Sequence, residues 1–181
     1  RVPVCPSVGF YQFAYAGVTP RDGMYDYAKL AYAVTKYHQD FLPDSLSGSP
    51  IYGSGKLFDI LDYRLYHWPG HGVPATAPYQ CVEAEYMLPD EYDRLIQDPS
   101  DYFARFYLPR VFGALAPWRE LAPLTDILEL PLTGGPMVAF GLPAVQESLR
   151  KLIEAGDAAR EWIQACSAID GEIRATLGLP G

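Results

Sequence analysis

One amphipathic helical segment constrains the fold of this chain more than any other feature. Its apolar residues recur at steps of three and four, which is one face of a helix: Met24, Tyr27, Ala28, Ala31, Val34 and Tyr37. Thr19-Pro20 supplies a helix N-cap followed by proline at the first helical position, and Pro43 cannot continue a helix. The sequence therefore predicts one helix between these points, with His38 as a capping residue near its end.

The elements around this helix are shorter. Residues 2–5 predict a short strand, followed by an aromatic-rich loop, and residues 79–87 predict a half-exposed strand. Two short helices are expected after Pro89 and after Asp98-Pro99. The Pro- and Gly-rich region 116–142 predicts a long connection, and two further helices are expected on either side of a stop at Gly156. Residues 1–181 are predicted to form a single domain.

Charge and cysteine content exclude several classes of protein. The 14 Lys and Arg residues against 22 Asp and Glu residues give a net charge of −8, which disfavours binding to a nucleic acid backbone. No apolar run is long enough to span a membrane, so we expect a cytoplasmic protein. The three cysteines are far apart and lack the spacing of metal ligands, so the sequence predicts no metal site in this segment.

Three groups of residues are candidates for a functional site. Asp44 follows the long helix and precedes a glycine-rich segment, so it is the candidate catalytic carboxylate; the alternative is a turn carboxylate that bonds nearby backbone N–H groups. The remaining candidates are aromatic or imidazole side chains that we predict to bind substrate. They are Phe10, Tyr11 and Phe13 near the N-terminus, and Trp68 and His71 in a Trp-Pro-Gly-His-Gly turn.

The order of several segments resembles the N-terminal half of the uroporphyrinogen decarboxylase superfamily. This superfamily (URO-D) includes the heme-pathway decarboxylase, a lyase of porphyrin biosynthesis, and the corrinoid-dependent methyltransferases. Five similar segments follow one another along the chain. They are Arg1-Val-Pro-Val; Phe41-Leu-Pro-Asp44; Leu61-Asp-Tyr followed by Trp68-Pro-Gly-His-Gly; Asp90-Glu-Tyr-Asp93 followed by Asp98-Pro99-Ser100; and Pro143-Ala-Val-Gln-Glu followed by Leu152-Ile-Glu-Ala-Gly156. Their order covers nearly the whole chain.

The resemblance implies an α/β fold, specifically the N-terminal part of a (β/α)8 TIM-type barrel that is helix-rich with a few short strands. A complete barrel of this type needs roughly 250 residues, so we expect the C-terminal half to be absent. The resemblance also implies that Asp44 corresponds to the family aspartate that hydrogen-bonds the pyrrole N–H groups of a tetrapyrrole. In that role the carboxylate stabilises positive charge that forms when the substrate is protonated.

The sequence departs from the decarboxylases at one motif. Their first strand is followed by an arginine-rich segment that binds substrate carboxylates, whereas residues 7–15 contain no arginine. This favours the divergent, methyltransferase-like branch, which would use a corrinoid, and zinc held by residues of the missing half. The expected partner is thus a small-molecule tetrapyrrole or corrinoid, and this segment alone is expected to be inactive.

A hypothesis of another class is a non-catalytic, helix-rich interaction module. An incomplete barrel would expose strand edges and an apolar inner surface, which promote association, and a homodimer is one form that this association would take. No membrane partner is expected.

Overall fold

The structure, a computed structural model, describes residues 2–127 and 130–179. The described chain is helix-rich with a small sheet, which agrees with the α/β expectation; the barrel arrangement stays a prediction. The α-helices are α1 (Tyr11–Ala16), α2 (Pro20–Tyr25), α3 (Tyr27–Phe41), α4 (Gly55–Leu61), α5 (Tyr92–Gln97), α6 (Pro99–Tyr102), α7 (Leu108–Val111), α8 (Leu130–Met137) and α9 (Pro143–Leu177). Short 3₁₀ segments cover Ser49–Tyr52, Pro89–Glu91, Gly113–Glu120, Leu124–Asp126 and Val138–Gly141.

Three short strands in the described part of the chain form one sheet in the order β2-β1-β3. They are β1 (Tyr66–Pro69), β2 (Gly72–Val73) and β3 (Gln80–Cys81). Strands β1 and β2 pair in parallel, with Trp68 opposite Gly72. The strand predicted over residues 2–5 was wrong, and the one predicted over 79–87 is reduced to β3.

The described residues divide into two compact units. The first unit lies within Arg1–Leu57, His67–Gln80 and Asp157–Gly181, and the second lies within Phe58–Tyr66 and Cys81–Gly156. The single domain expected from the sequence stays a prediction, since the division describes compactness within one chain.

The helix predicted from Thr19 onward is two helices. Thr19 caps α2 as expected, since its Oγ1 accepts the Asp22 N–H at 3.1 Å and Pro20 occupies the first turn. The chain then breaks at Asp26, whose carboxylate accepts the N–H groups of Ala28 and Lys29 at 3.0 and 3.1 Å and starts α3. A second capping side chain inside the apolar pattern therefore separates two helices that the periodicity alone merges.

His38, predicted as a capping residue, lies in the last turn of α3 and is a core residue. Its ring is fully buried. Nε2 accepts the Ser47 N–H at 3.1 Å, which leaves the ring proton on Nδ1, and Nδ1 donates to the Val34 carbonyl oxygen at 2.8 Å. The imidazole thus connects α3 to the segment that follows it, and both of its nitrogens are used in structural bonds.

The core of the first unit is formed by α1, α3 and the C-terminal part of α9. Its buried members are Phe13, Leu30, Ala33, Val34, Tyr52, Trp162, Cys166, Ile169 and Ile173. Trp162, Cys166, Ile169 and Ile173 in this list lie on one face of α9 at steps of three and four residues. The predicted stop at Gly156 was wrong, because α9 is continuous over 35 residues and Gly156 lies inside it.

The second unit is organised by a helical segment that begins at Pro99 and ends at Val111. Asp98 caps it as predicted, with its Oδ1 accepting the Asp101 N–H at 3.0 Å. A π-helical turn at Phe103–Tyr107 immediately precedes the turn that contains Pro109. A proline lacks the N–H that the regular helical bond needs, and a local π turn is one way to accommodate it.

Candidate functional site

Asp44 is held at the turn that follows α3. The helix ends at Phe41, and Leu42 takes a left-handed conformation with φ of 46° while its N–H donates to the His38 carbonyl at 3.0 Å. Asp44 then pairs with Val4 twice: its N–H donates to the Val4 carbonyl at 2.9 Å, and its Oδ2 accepts the Val4 N–H at 2.8 Å. The half-buried carboxylate is therefore oriented by backbone groups from a segment 40 residues away.

The same carboxylate borders an open cavity of about 550 Å³. The cavity is lined by Asp44 together with residues 41–43 and 177–179, which combine polar and apolar surface. Ligand cavities in proteins commonly fall between about 300 and 1,000 Å³, so this volume suits a small molecule. A ligand in the cavity would lie beside the carboxylate that the sequence identified as the candidate catalytic group.

One of the predicted aromatic residues, Tyr11, packs against a residue that lines this cavity. Tyr11, on the exposed side of α1, is 52% exposed and its ring centroid lies 6.5 Å from that of Phe41, which lines the cavity. Tyr15 packs on the same Phe41 ring at 4.8 Å. Tyr11, Tyr15 and Phe41 thus form one aromatic cluster, of which Phe41 lines the cavity, and the sequence predicted only Tyr11 to bind a ligand.

Phe10 and Phe13 have different surroundings. Phe13 has no exposed surface, and its ring packs against Tyr52 at a centroid distance of 4.4 Å. Phe10 is half-buried against Tyr52 and Tyr79 at 5.5 and 5.2 Å. The loop predicted here is helix α1, which turns one side of the aromatic segment into the core. Phe13 thus belongs to the core of the first unit, and substrate binding by both residues stays a prediction.

Trp68 and His71 are brought together by the turn between β1 and β2. Each backbone N–H donates to the other residue's carbonyl, at 3.0 Å from Trp68 and 2.7 Å from His71. Their rings stack at a centroid distance of 4.5 Å with an interplanar angle of 17°. Gly70 and Gly72 take φ values of 85° and 78°, which glycine adopts without steric cost, so the turn chemistry of the motif explains the stacking.

Tyr25 completes this pair and was missed by the sequence analysis. Its hydroxyl lies 2.9 Å from His71 Nε2 and accepts the Trp68 indole N–H at 3.3 Å. The Arg21 guanidinium lies 5.1 Å from the Tyr25 ring centroid, and the Arg21 side chain runs over Gly70, where a Cβ atom would approach it to 2.4 Å. A phenol and an imidazole at hydrogen-bond distance can pass a proton between them.

No cluster of three or more His, Cys, Asp or Glu side chains suited to a metal ion occurs within residues 2–127 and 130–179. In the same part of the chain, no helix combines the length and the apolar character that crossing a bilayer requires. Comparisons with protein-family models, with curated proteins and with solved structures find no match to this chain.

Proposed function

We propose that this chain belongs to a uroporphyrinogen decarboxylase-like protein that acts on a tetrapyrrole or corrinoid, with Asp44 as its catalytic carboxylate. The observation that carries the proposal is the position of Asp44. Its carboxylate is oriented by the Val4 backbone and borders an open cavity of about 550 Å³. This combines a fixed anion with space for a ligand.

The proposed chemistry follows from the charge of Asp44. A carboxylate accepts hydrogen bonds from pyrrole N–H groups, and it stabilises the positive charge that develops when a pyrrole carbon is protonated. Such stabilisation costs least when the anion is already in place, and the paired bonds to Val4 keep the turn in one conformation. The Phe41 ring lines the cavity and offers apolar surface to a macrocycle, and the Tyr11 ring packs against it at a centroid distance of 6.5 Å.

A corrinoid-dependent methyltransferase of the same superfamily is the second candidate. It is favoured by the absence of arginine from residues 7–15, which leaves a highly carboxylated substrate without the clamps that the decarboxylases use. A corrinoid carries amide side chains in place of most of these carboxylates, so an acidic chain repels it less.

Ligand titrations with two probes test the proposal. Uroporphyrin and hydroxocobalamin are each titrated into the chain, and binding is followed by the change in their absorbance. We expect Asp44→Asn to weaken binding of the preferred probe at least tenfold, since asparagine keeps an acceptor for the Val4 N–H but removes the charge. The matched control is Asp157→Asn, which makes the same change on the exposed surface of α9 and should alter affinity less than twofold.

Three outcomes separate the hypotheses. Preferred binding of uroporphyrin supports the decarboxylase-like function, and preferred binding of the corrinoid supports the methyltransferase. If neither probe binds, or if Asp44→Asn binds as the wild type does, the proposal fails and a non-catalytic interaction module becomes the better explanation.

A further inference from the structure

The second unit contains a cavity of about 410 Å³ that takes no part in the proposed function. Its walls come from the α6 region, from the 3₁₀ segment Gly113–Glu120 with the residues that follow it, and from the start of α9. Most of the lining is apolar, with the largest contributions expected from the long side chains Trp118, Leu121, Leu124, Phe140 and Leu149. An apolar cavity is poorly filled by water and instead favours an apolar ligand.

Part of the cavity lining is polar, and its bonds restrict what a ligand can offer to it. Arg105 Nε donates to Asp101 Oδ1 at 2.5 Å, Nη2 donates to Asp101 Oδ2 at 2.6 Å, and Nη1 donates to the Leu121 carbonyl at 3.0 Å. Asp101 and Arg105 are both mostly buried, with side-chain exposures of 12% and 16%. The guanidinium is thus neutralised in place, yet it retains N–H groups that these bonds do not use.

The charges of the polar lining disfavour an anion. Asp98 and Asp101 both line the cavity and carry two negative charges against the single positive charge of Arg105. The carboxylate of Asp101 is already paired with Arg105, and Asp98 accepts the Asp101 N–H. Either kind of ligand can accept a spare N–H of Arg105, but a negatively charged one would also be repelled by the net negative charge of these three side chains.

A donor in the cavity wall points to the same ligand chemistry. The indole Nε1 of Trp118 is buried and has no hydrogen-bond partner among the described residues. Buried donors in proteins are nearly always paired. The indole N–H is shielded from the open cavity, so a ligand acceptor would reach it only if the ring turned toward the cavity. Ser100 and Thr125 add hydroxyl groups to the lining.

We propose that this cavity of the second unit is a binding site for a small neutral molecule with an apolar body and an oxygen acceptor such as a carbonyl or hydroxyl group. The apolar walls hold the body, and the spare N–H of Arg105 or the indole of Trp118 receives the oxygen. The site lies entirely within the second unit and is independent of Asp44.

Fluorescence titration of the 181-residue chain with Nile red, a neutral apolar dye that carries a carbonyl, tests the proposal. We expect saturable binding, and we expect Leu149→Trp to weaken it at least tenfold by filling the cavity. The matched control is Ile153→Trp one turn further along α9, where the side chain is 69% exposed, and it should change affinity less than twofold. Circular dichroism verifies that each variant is folded, and Ala122→Leu is the smaller filling variant if Leu149→Trp does not fold.

Competition then tests the predicted class of ligand. Decanol should displace the dye at a concentration at least tenfold lower than decanoate, because only decanoate brings a negative charge to Asp98 and Asp101. Equal or stronger displacement by decanoate would overturn the assignment of a neutral ligand. Absence of dye binding, or binding that the filling variants leave unchanged, would overturn the site itself.

Discussion

Replacing Glu91 by glutamine should destabilise the second unit by about 3 kcal/mol at neutral pH. Arg110 donates to both oxygens of this carboxylate, at 2.7 Å to Oε2, while Oε2 also accepts the Tyr102 hydroxyl at 3.0 Å and the Leu88 N–H at 2.9 Å. Arg110 also donates to the Tyr86 carbonyl at 2.8 Å. These bonds, with Arg110 the largest contributor, lower the pKa of Glu91 to about 2.

The magnitude follows from that pKa. One pKa unit corresponds to about 1.36 kcal/mol, so a fall from 4.5 to about 2 corresponds to about 3 kcal/mol of preference for the charged form in the folded chain. The side chain of Glu91 is 13% exposed, so solvent screens the pair only in part. Breaking a buried pair costs about 3–5 kcal/mol in other proteins, which agrees with this figure.

The sign of the pH dependence follows from the lowered pKa of Glu91 in the folded chain. The folded state holds Glu91 ionised, so its contribution is complete above pH 4.5 and is lost as the pH falls toward about 2. Urea unfolding followed by circular dichroism at several pH values should therefore show a wild-type advantage over Glu91→Gln that disappears across this interval. Hydrogen exchange of residues 99–111 places the change in the second unit.

A matched control separates this effect from the loss of any surface charge. Glu147→Gln removes a carboxylate that bonds Arg150 on exposed α9, and exposed pairs of this kind contribute less than about 1 kcal/mol. If Glu91→Gln cost no more than Glu147→Gln, or if its cost did not change between pH 5 and pH 2, the argument from the buried network would be refuted.

Two further predictions concern a thiol and a glycine. Burial, together with the nearby Asp170, raises the pKa of the Cys166 thiol to about 12. Iodoacetamide at pH 8 should therefore alkylate the exposed Cys5 and Cys81 in the folded chain and react with Cys166 only after urea is added. Mass spectrometry measures the three alkylation rates, and equal rates in the folded chain would contradict the prediction. Gly113→Ala should change the free energy of unfolding by less than about 1 kcal/mol in urea unfolding, because the atoms that its Cβ would meet, Asp62 Oδ2 at 1.7 Å and Arg64 Nη2 at 2.2 Å, end exposed side chains that can move away. A loss of several kcal/mol would contradict this.

The sequence predicted the elements whose signals lie within a few residues of one another. Thr19-Pro20 and Asp98-Pro99 were identified as helix starts, and both capping bonds are present. These bonds join residues three positions apart, so the local sequence contains both partners. The same local signal at Asp26 was masked by the continuous apolar pattern, although an aspartate before a helical run is a capping residue in its own right.

At Gly156, the glycine that predicted the end of a helix was outweighed by the burial of side chains on both sides of it. Glycine inside a helix costs only about 1 kcal/mol relative to alanine. Ala155 and Ala158 on either side of it are buried, as are Val145 and Trp162 further along α9. Burial of side chains on both sides of the glycine favours one continuous helix by more than the glycine disfavours it, and no local pattern reveals contacts made with distant parts of the chain.

In the candidate site, too, the sequence predicted what local signals determine and missed the contacts between distant residues. Trp68 and His71 lie within one turn motif, and the sequence grouped them correctly as neighbours. Tyr25 reaches His71 across 46 positions, and Val4 reaches Asp44 across 40, so neither partner was predictable from spacing. What the sequence supplied was the type of residue and the turn that holds it, while the partners that orient each group depend on the tertiary fold.

The pairing of Asp44 with Val4 also means that a structural and a catalytic role are compatible. Oδ2 accepts one backbone N–H, a bond that asparagine can reproduce and alanine cannot. Loss of that acceptor leaves a donor unpaired at a cost of about 1–3 kcal/mol if the N–H is shielded from water, and less here because Val4 is exposed. A purely structural carboxylate would thus tolerate Asp44→Asn in both stability and ligand binding and lose only stability in Asp44→Ala. A catalytic carboxylate would lose tetrapyrrole or corrinoid binding in both variants, because both remove the charge, whereas only alanine would also remove the bond to Val4.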